Sequence, residues 1–228
     1  MSKILVTGAN GFIAAHCISL LLSTKHHVRG TVRSEQKATA TQAALTAAGV
    51  DITNLELVVI SDPTDVTQFA PAVAGCKGIL HLASAFSYDA TPEEFEEKLL
   101  IPALKGTVTV CEAASQYPEV KKVVIMSSFA AVYDASLGPQ PGRVYTEKDW
   151  CPLTYEEGKN ASLVLVTLCP GMVFGKMIHP IESLSQLNAS NQIVWDVLKG
   201  NGIPPTKAPG KSAVLVIPTK RITLTSSS

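Results

Sequence analysis

Gly8-x-x-Gly11-x-x-Ala14 lies within the run Thr7-Gly8-Ala9-Asn10-Gly11-Phe12-Ile13-Ala14, directly after an apolar strand pattern and at the opening of a helical one. That context suits a turn that holds a pyrophosphate. Gly8 permits the tight turn, Gly11 lets backbone approach a phosphate, and the small Ala14 lets helix pack closely on strand. The free N–H groups and the positive end of the helix dipole then face the anion. The plainer alternative is an ordinary strand–turn–helix joint built from small residues. A dinucleotide is the ligand this spacing favours. Its type rests on the end of the second strand pattern, where an acidic residue about 20 positions past the glycines would hold a ribose 2′-hydroxyl. Here the text is Thr31-Val32-Arg33-Ser34, with Lys37 one helical turn on. Arg33 is a permanent cation suited to a 2′-phosphate, which a carboxylate would repel. The reading is therefore NADPH over NADH, against the alternative that Arg33 and Lys37 merely solvate a helix start.

These residues need a scaffold, and the pattern supplies one. Short β-branched apolar runs alternate with longer helical stretches: strands at 3–7, 28–32, 55–60, 78–82, 120–126 and 163–168, and helices at 11–23, 35–48 and around 65–73. A further helix is expected over 92–115, kinked at Pro102 because proline lacks the interior donor. Strands separated by helices require crossovers and a parallel sheet covered on both faces. The fold expected is α/β, a Rossmann-type doubly wound parallel sheet. The second half is less regular. Between the fifth and sixth strands, Pro139, Pro141, Pro152 and several glycines leave room only for a short helix at 154–161, so the usual crossover helix is missing. One helix is expected over 183–198, then a Pro/Gly-rich stretch and a strand-like tail. The division implied is an NAD(P)-binding domain over 1–175 and a remnant of a substrate region over 176–228.

Bulk properties narrow the class. The 228 residues are 46% hydrophobic, enough for a sizeable core, and 19 basic side chains balance 19 acidic ones. That balance argues against a nucleic-acid or anionic-membrane partner, which would call for a basic excess. Five scattered cysteines, odd in number and without Cys-x-x-Cys spacing, argue against a disulfide scaffold or a zinc site and suit a reducing compartment. With no apolar run long enough to span a bilayer and no signal-like start, the expected location is cytoplasmic.

Four segments in order carry a family likeness: Thr7–Ala14, Gly30-Thr31-Val32-Arg33-Ser34, Leu80-His81-Leu82-Ala83-Ser84-Ala85-Phe86 and Met126-Ser127-Ser128-Phe129-Ala130-Ala131-Val132-Tyr133. The chain resembles the extended short-chain dehydrogenase/reductases of the NAD-dependent epimerase/dehydratase superfamily. Among them it is similar to fungal NADPH-dependent aldehyde and ketone reductases and to dihydroflavonol reductases. The likeness runs from Ser2 to about Asn160 and again from about Ser162 to Ala208. It implies that Gly8, Asn10, Gly11, Phe12 and Ile13 line the pyrophosphate and that Arg33 and Lys37 hold the 2′-phosphate. It further implies that Asp62 reaches the adenine, that Ala83 and Ser84 flank the ribose–nicotinamide path, and that Pro170 lies by the nicotinamide. Ser128 matches the catalytic serine, and the implied reaction is hydride transfer to a small carbonyl substrate, with no metal.

That reaction also needs a tyrosine to protonate the carbonyl oxygen and a lysine to favour its phenolate, four residues apart on one helix face. Tyr155-Glu156-Glu157-Gly158-Lys159 has the spacing. In the resembled family such text precedes the true motif, whose helix leads into the sixth strand. Here Asn160-Ala161-Ser162 runs almost straight into that strand, so Tyr155 and Lys159 read as a chance spacing. The text from Pro209 to Ser228 also departs from the family. An internal deletion with an altered C-terminus is the expectation. Three readings stay open: an active NADPH-dependent carbonyl reductase, an NADPH-binding chain without turnover, and, with less support, a sugar-nucleotide epimerase or dehydratase. Substrate identity and oligomeric state are not legible.

Overall fold

The computed structural model describes residues 2–84, 94, 97–98, 101–128, 142–144, 146, 164–168, 172–199 and 214–216. Its elements follow one another as β1 (Lys3–Thr7), α1 (Phe12–Ser23), β2 (His27–Val32), α2 (Glu35–Ala47), β3 (Leu55–Val59), α3 (Val66–Val73), β4 (Gly78–His81), α4 (Ile101–Ser115), β5 (Lys122–Met126), β6 (Val164–Leu168), β7 (Met172–Phe174), α5 (Ala189–Leu198) and β8 (Val214–Val216). Residues cluster into two units, 1–126 with 160–167 and 178–180, and 127–159 with 168–177 and 181–228.

In the first unit the strands are apolar runs because helices cover both of their faces. Six strands lie in the order β3-β2-β1-β4-β5-β6. The pairings given for β1 to β5 are all parallel. Successive residues of β1 point to opposite faces, so Leu5 and Val6 enter different cores. Leu5 joins Phe69, Val73, Ile79, Val110 and Val123 on the α3/α4 side. Val6 joins Ala14, Ala15, Ile18, Val28 and Leu45 on the α1/α2 side. At about 25 cal/mol per Å² of apolar surface, these two layers are the main stabilising term.

Local signals set the helix ends. Ser34 caps α2 by accepting from the Lys37 N–H, and Asp65 caps α3 by accepting from the Thr67 N–H. After α1 the chain turns back through Lys25 at φ 68°, the left-handed position that closes many helices. Pro102 is the second described residue of α4. Most of 92–100 lies outside the described residues.

In the second unit β7 pairs in parallel with β8, with Met172 opposite Val214 and Phe174 opposite Val216. The helix expected over 183–198 is divided: a 3₁₀ turn at Leu184–Gln186 precedes α5, and Asn188 lies between them in extended conformation. The break has a cause, since the Asn188 side-chain amide donates to the Val173 carbonyl at 3.1 Å and leaves the helix path. Among the described residues no helix is long and apolar enough to cross a membrane.

Candidate cofactor and active site

β1 is the point where the winding of the sheet reverses, with β2 on one side and β4 on the other. Open α/β sheets bind ligands beyond the carboxyl ends of the strands at such a point. The register brings three of those ends together: Val6 lies opposite Gly30, and Thr7 opposite His81.

The turn leaving β1 is shaped by its glycines. Gly8 has φ +67°, and a Cβ there would lie 3.1 Å from the Cα and Cβ of Ala83, so only glycine fits without strain. A Cβ on Gly11 would meet the Gly8 carbonyl oxygen at 3.1 Å, the same oxygen that accepts from the Gly11 N–H at 2.8 Å. β2 holds the turn from beneath: the Thr31 hydroxyl accepts from the Gly8 N–H at 3.3 Å and the Thr31 carbonyl from the Ala9 N–H at 2.8 Å. Gly30 clears space for that seat, because a Cβ there would fall 2.8 Å from the Ala9 Cβ.

Gly11 is the N-cap of α1, and no side chain caps this end. The first-turn N–H groups, those of Phe12 and Ile13 included, therefore have no intrahelical partner, and among the described residues no side chain caps them. Phe12 is buried, and its ring meets the rings of His16 and His179 edge-on at 5.4 and 5.5 Å. Burial, and then the neighbouring His16, push His179 below its ordinary value. Asn10 is half-buried within the turn. A glycine cradle with open amides at a 12-residue helix fits a pyrophosphate.

Arg33 follows β2 directly, is exposed, and makes no ion pair or hydrogen bond with any described residue. Lys37 stands in the first turn of α2, where its N–H donates to Ser34 Oγ at 3.3 Å. Asp62 is exposed, and its Oδ1 accepts from the N–H and hydroxyl of Thr64 at 2.8 and 2.7 Å. Those two hydrogen bonds hold its carboxyl below the ordinary value of 3.8. Ala83 and Ser84 leave β4 beside the glycine turn, with the Ala83 N–H donating to the Thr7 hydroxyl at 3.0 Å. Ser128 stands exposed two residues beyond β5 and belongs to the second unit. Tyr155, Lys159 and Pro170 lie outside the described residues. Thr7, Thr31 and His81 shape the turn and were given no role from sequence, because their partners are far away in the chain. Among the described residues no group of acidic, cysteine or histidine side chains is set to hold a metal.

A doubly wound sheet with a glycine turn at the reversal point defines a Rossmann-type dinucleotide-binding protein. The chain belongs to the NAD dependent epimerase/dehydratase family, which matches residues 4–163. It is 36% identical to a Schizosaccharomyces pombe protein named as an uncharacterized oxidoreductase, over 87% of this chain and 66% of the relative. It is 34% identical to the NADPH-dependent methylglyoxal reductase of Saccharomyces cerevisiae, over 68% of this chain and 45% of that protein. The crystal structure of yeast methylglyoxal/isovaleraldehyde reductase with NADPH superposes with a TM-score of 0.71 at 27% identity, covering 86% of this chain and 66% of that one. A Candida albicans reductase of the same name, Gre2, also complexed with NADPH, gives 0.73 at 29% identity, covering 87% and 66%. The chain thus spans about two thirds of the length of the first curated relatives it matches. The S. pombe alignment extends over 225 positions yet takes in only 87% of these 228 residues. The relative therefore carries residues inside the aligned stretch that have no counterpart here.

Proposed function

We propose that this chain is an NADPH-dependent reductase of small aldehydes or ketones. The observation that carries this reading is the glycine turn at the sheet's reversal point with an unpaired Arg33 at the end of β2. The names of the similar proteins, NADPH-dependent methylglyoxal reductase among them, support it. Gly8, Gly11 and the first-turn amides of α1 hold the pyrophosphate, and Arg33, with Lys37, holds the 2′-phosphate. Asp62 stands toward the adenine, and Ala83, Ser84 and Pro170 flank the ribose and nicotinamide. Bound NADPH supplies the hydride. Ser128 donates a hydrogen bond to the carbonyl oxygen, and a tyrosine supplies the proton, for which Tyr155 and Lys159 offer the four-residue spacing alone. The test is a pair of dissociation constants with NADPH oxidation followed on methylglyoxal and a panel of aldehydes and ketones. NADPH should bind more tightly than NADH, and Arg33→Ala should weaken NADPH roughly 10–100-fold while leaving NADH unchanged. Tighter binding of NADH to the unaltered chain would sink the cofactor assignment.

A second reading, NADPH binding without turnover, is favoured by the residues that the S. pombe relative has and this chain lacks. Tight NADPH binding with no oxidation on any carbonyl marks that case. Sequencing the transcript across Asn160–Ser162 separates a true deletion from an incomplete copy.

A further inference from the structure

His81 is buried on β4, between β1 and β5, and none of the chemistry above uses it. Its hydrogen bonds admit one arrangement of protons. Thr7 Oγ1 accepts from the N–H groups of Leu82 and Ala83, each at 3.0 Å, which occupies both lone pairs. The hydroxyl's own hydrogen must then go to His81 Nδ1, 2.9 Å away. Nδ1 is therefore the bare nitrogen, and Nε2 carries the hydrogen toward Thr107 Oγ1, a long contact at 3.4 Å. Thr107 passes its own hydrogen to the Ala103 carbonyl at 2.9 Å. Every donor in this chain points the same way, from the exit of β4 to the first turns of α4.

We propose that His81, neutral and fixed in its Nε2–H form, is a positioning residue for the glycine turn: by accepting the Thr7 hydroxyl it aims that oxygen at Leu82 and Ala83, and so presses Ala83 against Gly8. The contact is close, as a Cβ on Gly8 would lie only 3.1 Å from the Cα and Cβ of Ala83. A ring that swapped its hydrogen to Nδ1, or gained a second one, would direct a donor at an oxygen with no lone pair left. The Thr7 hydroxyl would lose its acceptor, and the Ala83 amide would lose its anchor. No charged side chain among the described residues enters the network. β1 presents Thr7, α4 presents Thr107, and the residue paired on β5 is Ile125. Burial alone pushes the ring down to about 4, in keeping with a neutral imidazole. The role rests on the reading of the glycine turn as the NADPH pyrophosphate site.

Two substitutions in the full chain separate positioning from packing. His81→Asn keeps an acceptor near the place of Nδ1, and His81→Leu keeps only bulk. The Leu variant should bind NADPH about tenfold more weakly, the loss expected of one hydrogen bond, and the Asn variant should recover most of it. Nitrogen-15 NMR of the unaltered protein should show a bare Nδ1, a protonated Nε2, and no titration above about pH 5. This spectrum decides the matter if His81→Leu does not fold. Equal NADPH affinity in all three proteins overturns the role, and so does a ring that carries its hydrogen on Nδ1 or titrates near 6.5. If the unaltered chain binds no NADPH, the cofactor reading fails along with the role. Intact wild-type binding with no effect of either substitution removes the role alone.

Discussion

The two units of this chain hold their strands by different physics. In the first, β1 has a paired strand on each side and an apolar layer on each face, and Leu5, Val6, Ile18 and Ile79 are at most 1% exposed. In the second, β7 has three residues and, among the described residues, one partner strand, the equally short β8. Side chains around the start of α5 supply the missing neighbour. Ser190 Oγ accepts from the Val173 N–H at 2.9 Å, and Asn188 Nδ2 donates to the Val173 carbonyl at 3.1 Å. Asn191 Nδ2 donates to the Gly175 carbonyl at 3.2 Å. Polar side chains thus do for β7 what a flanking strand does for β1. A buried ladder rests on burial summed over many residues, whereas an edge satisfied by side chains rests on a few hydrogen bonds of about 1 kcal/mol each.

The strongest test of that contrast is Leu5→Ala. Leu5 sits fully buried among Phe69, Ile79, Val110 and Val123, and truncation should cost about 2–5 kcal/mol in urea unfolding. A cost below about 1 kcal/mol would mean the first unit is not held by its core.

Acid probes the same unit through its buried imidazole. His81 is held at about 4 against an ordinary 6.5. Between those values the unfolded chain takes up a proton that the folded chain refuses. Stability should therefore fall as pH drops from 6.5 toward 4, by about 3 kcal/mol from this group, and should not change on its account above 6.5. His179 is lowered too and adds to the loss in the same direction. The carboxyls of Asp51, Asp62 and Asp65, lowered from 3.8 chiefly by threonine hydrogen bonds, lose their contribution only below this window. Urea midpoints for wild type and His81→Asn across pH 4–7 measure the share of His81, and parallel curves would refute it.

In the second unit Ser190→Ala should cost about 1–3 kcal/mol, since it leaves the buried Val173 N–H without an acceptor. Faster hydrogen exchange at the Val173 amide reports it. A loss as large as that of Leu5→Ala would break the contrast between the units. The smallest effect expected is a gain. Lys25 pays for its φ of 68° where glycine would not, and Lys25→Gly should raise the melting temperature through about 0.5–1 kcal/mol. An unchanged melting temperature would show that the side chain's own contacts offset the strain.

Much of this was legible in the residues themselves. β1 and the capped ends of α2 and α3 follow from apolar runs punctuated by Gly8, Ser34 and Asp65, signals only a few positions wide. The doubly wound order follows from alternating strands and helices. Arg33 was legible because it stands at a set distance past the glycines. β7 was not, because Met172–Phe174 is too short to show a period and its hydrogen-bond partners are Ser and Asn side chains that read as loop. Nor was the break at Asn188, which depends on Val173 lying within reach. Sequence by itself determined the layers, the glycine turn and the cation beyond β2, because apolar periodicity, left-handed backbone and fixed charge are properties of neighbouring residues. Only the tertiary structure decided that Gly30 must clear space for Ala9, that Ala83 abuts Gly8, and which nitrogen of His81 bears its hydrogen. Those depend on atoms from different strands and turns, 21 residues apart for Ala9 and Gly30 and 74 for Thr7 and His81, brought together by the closing of the sheet.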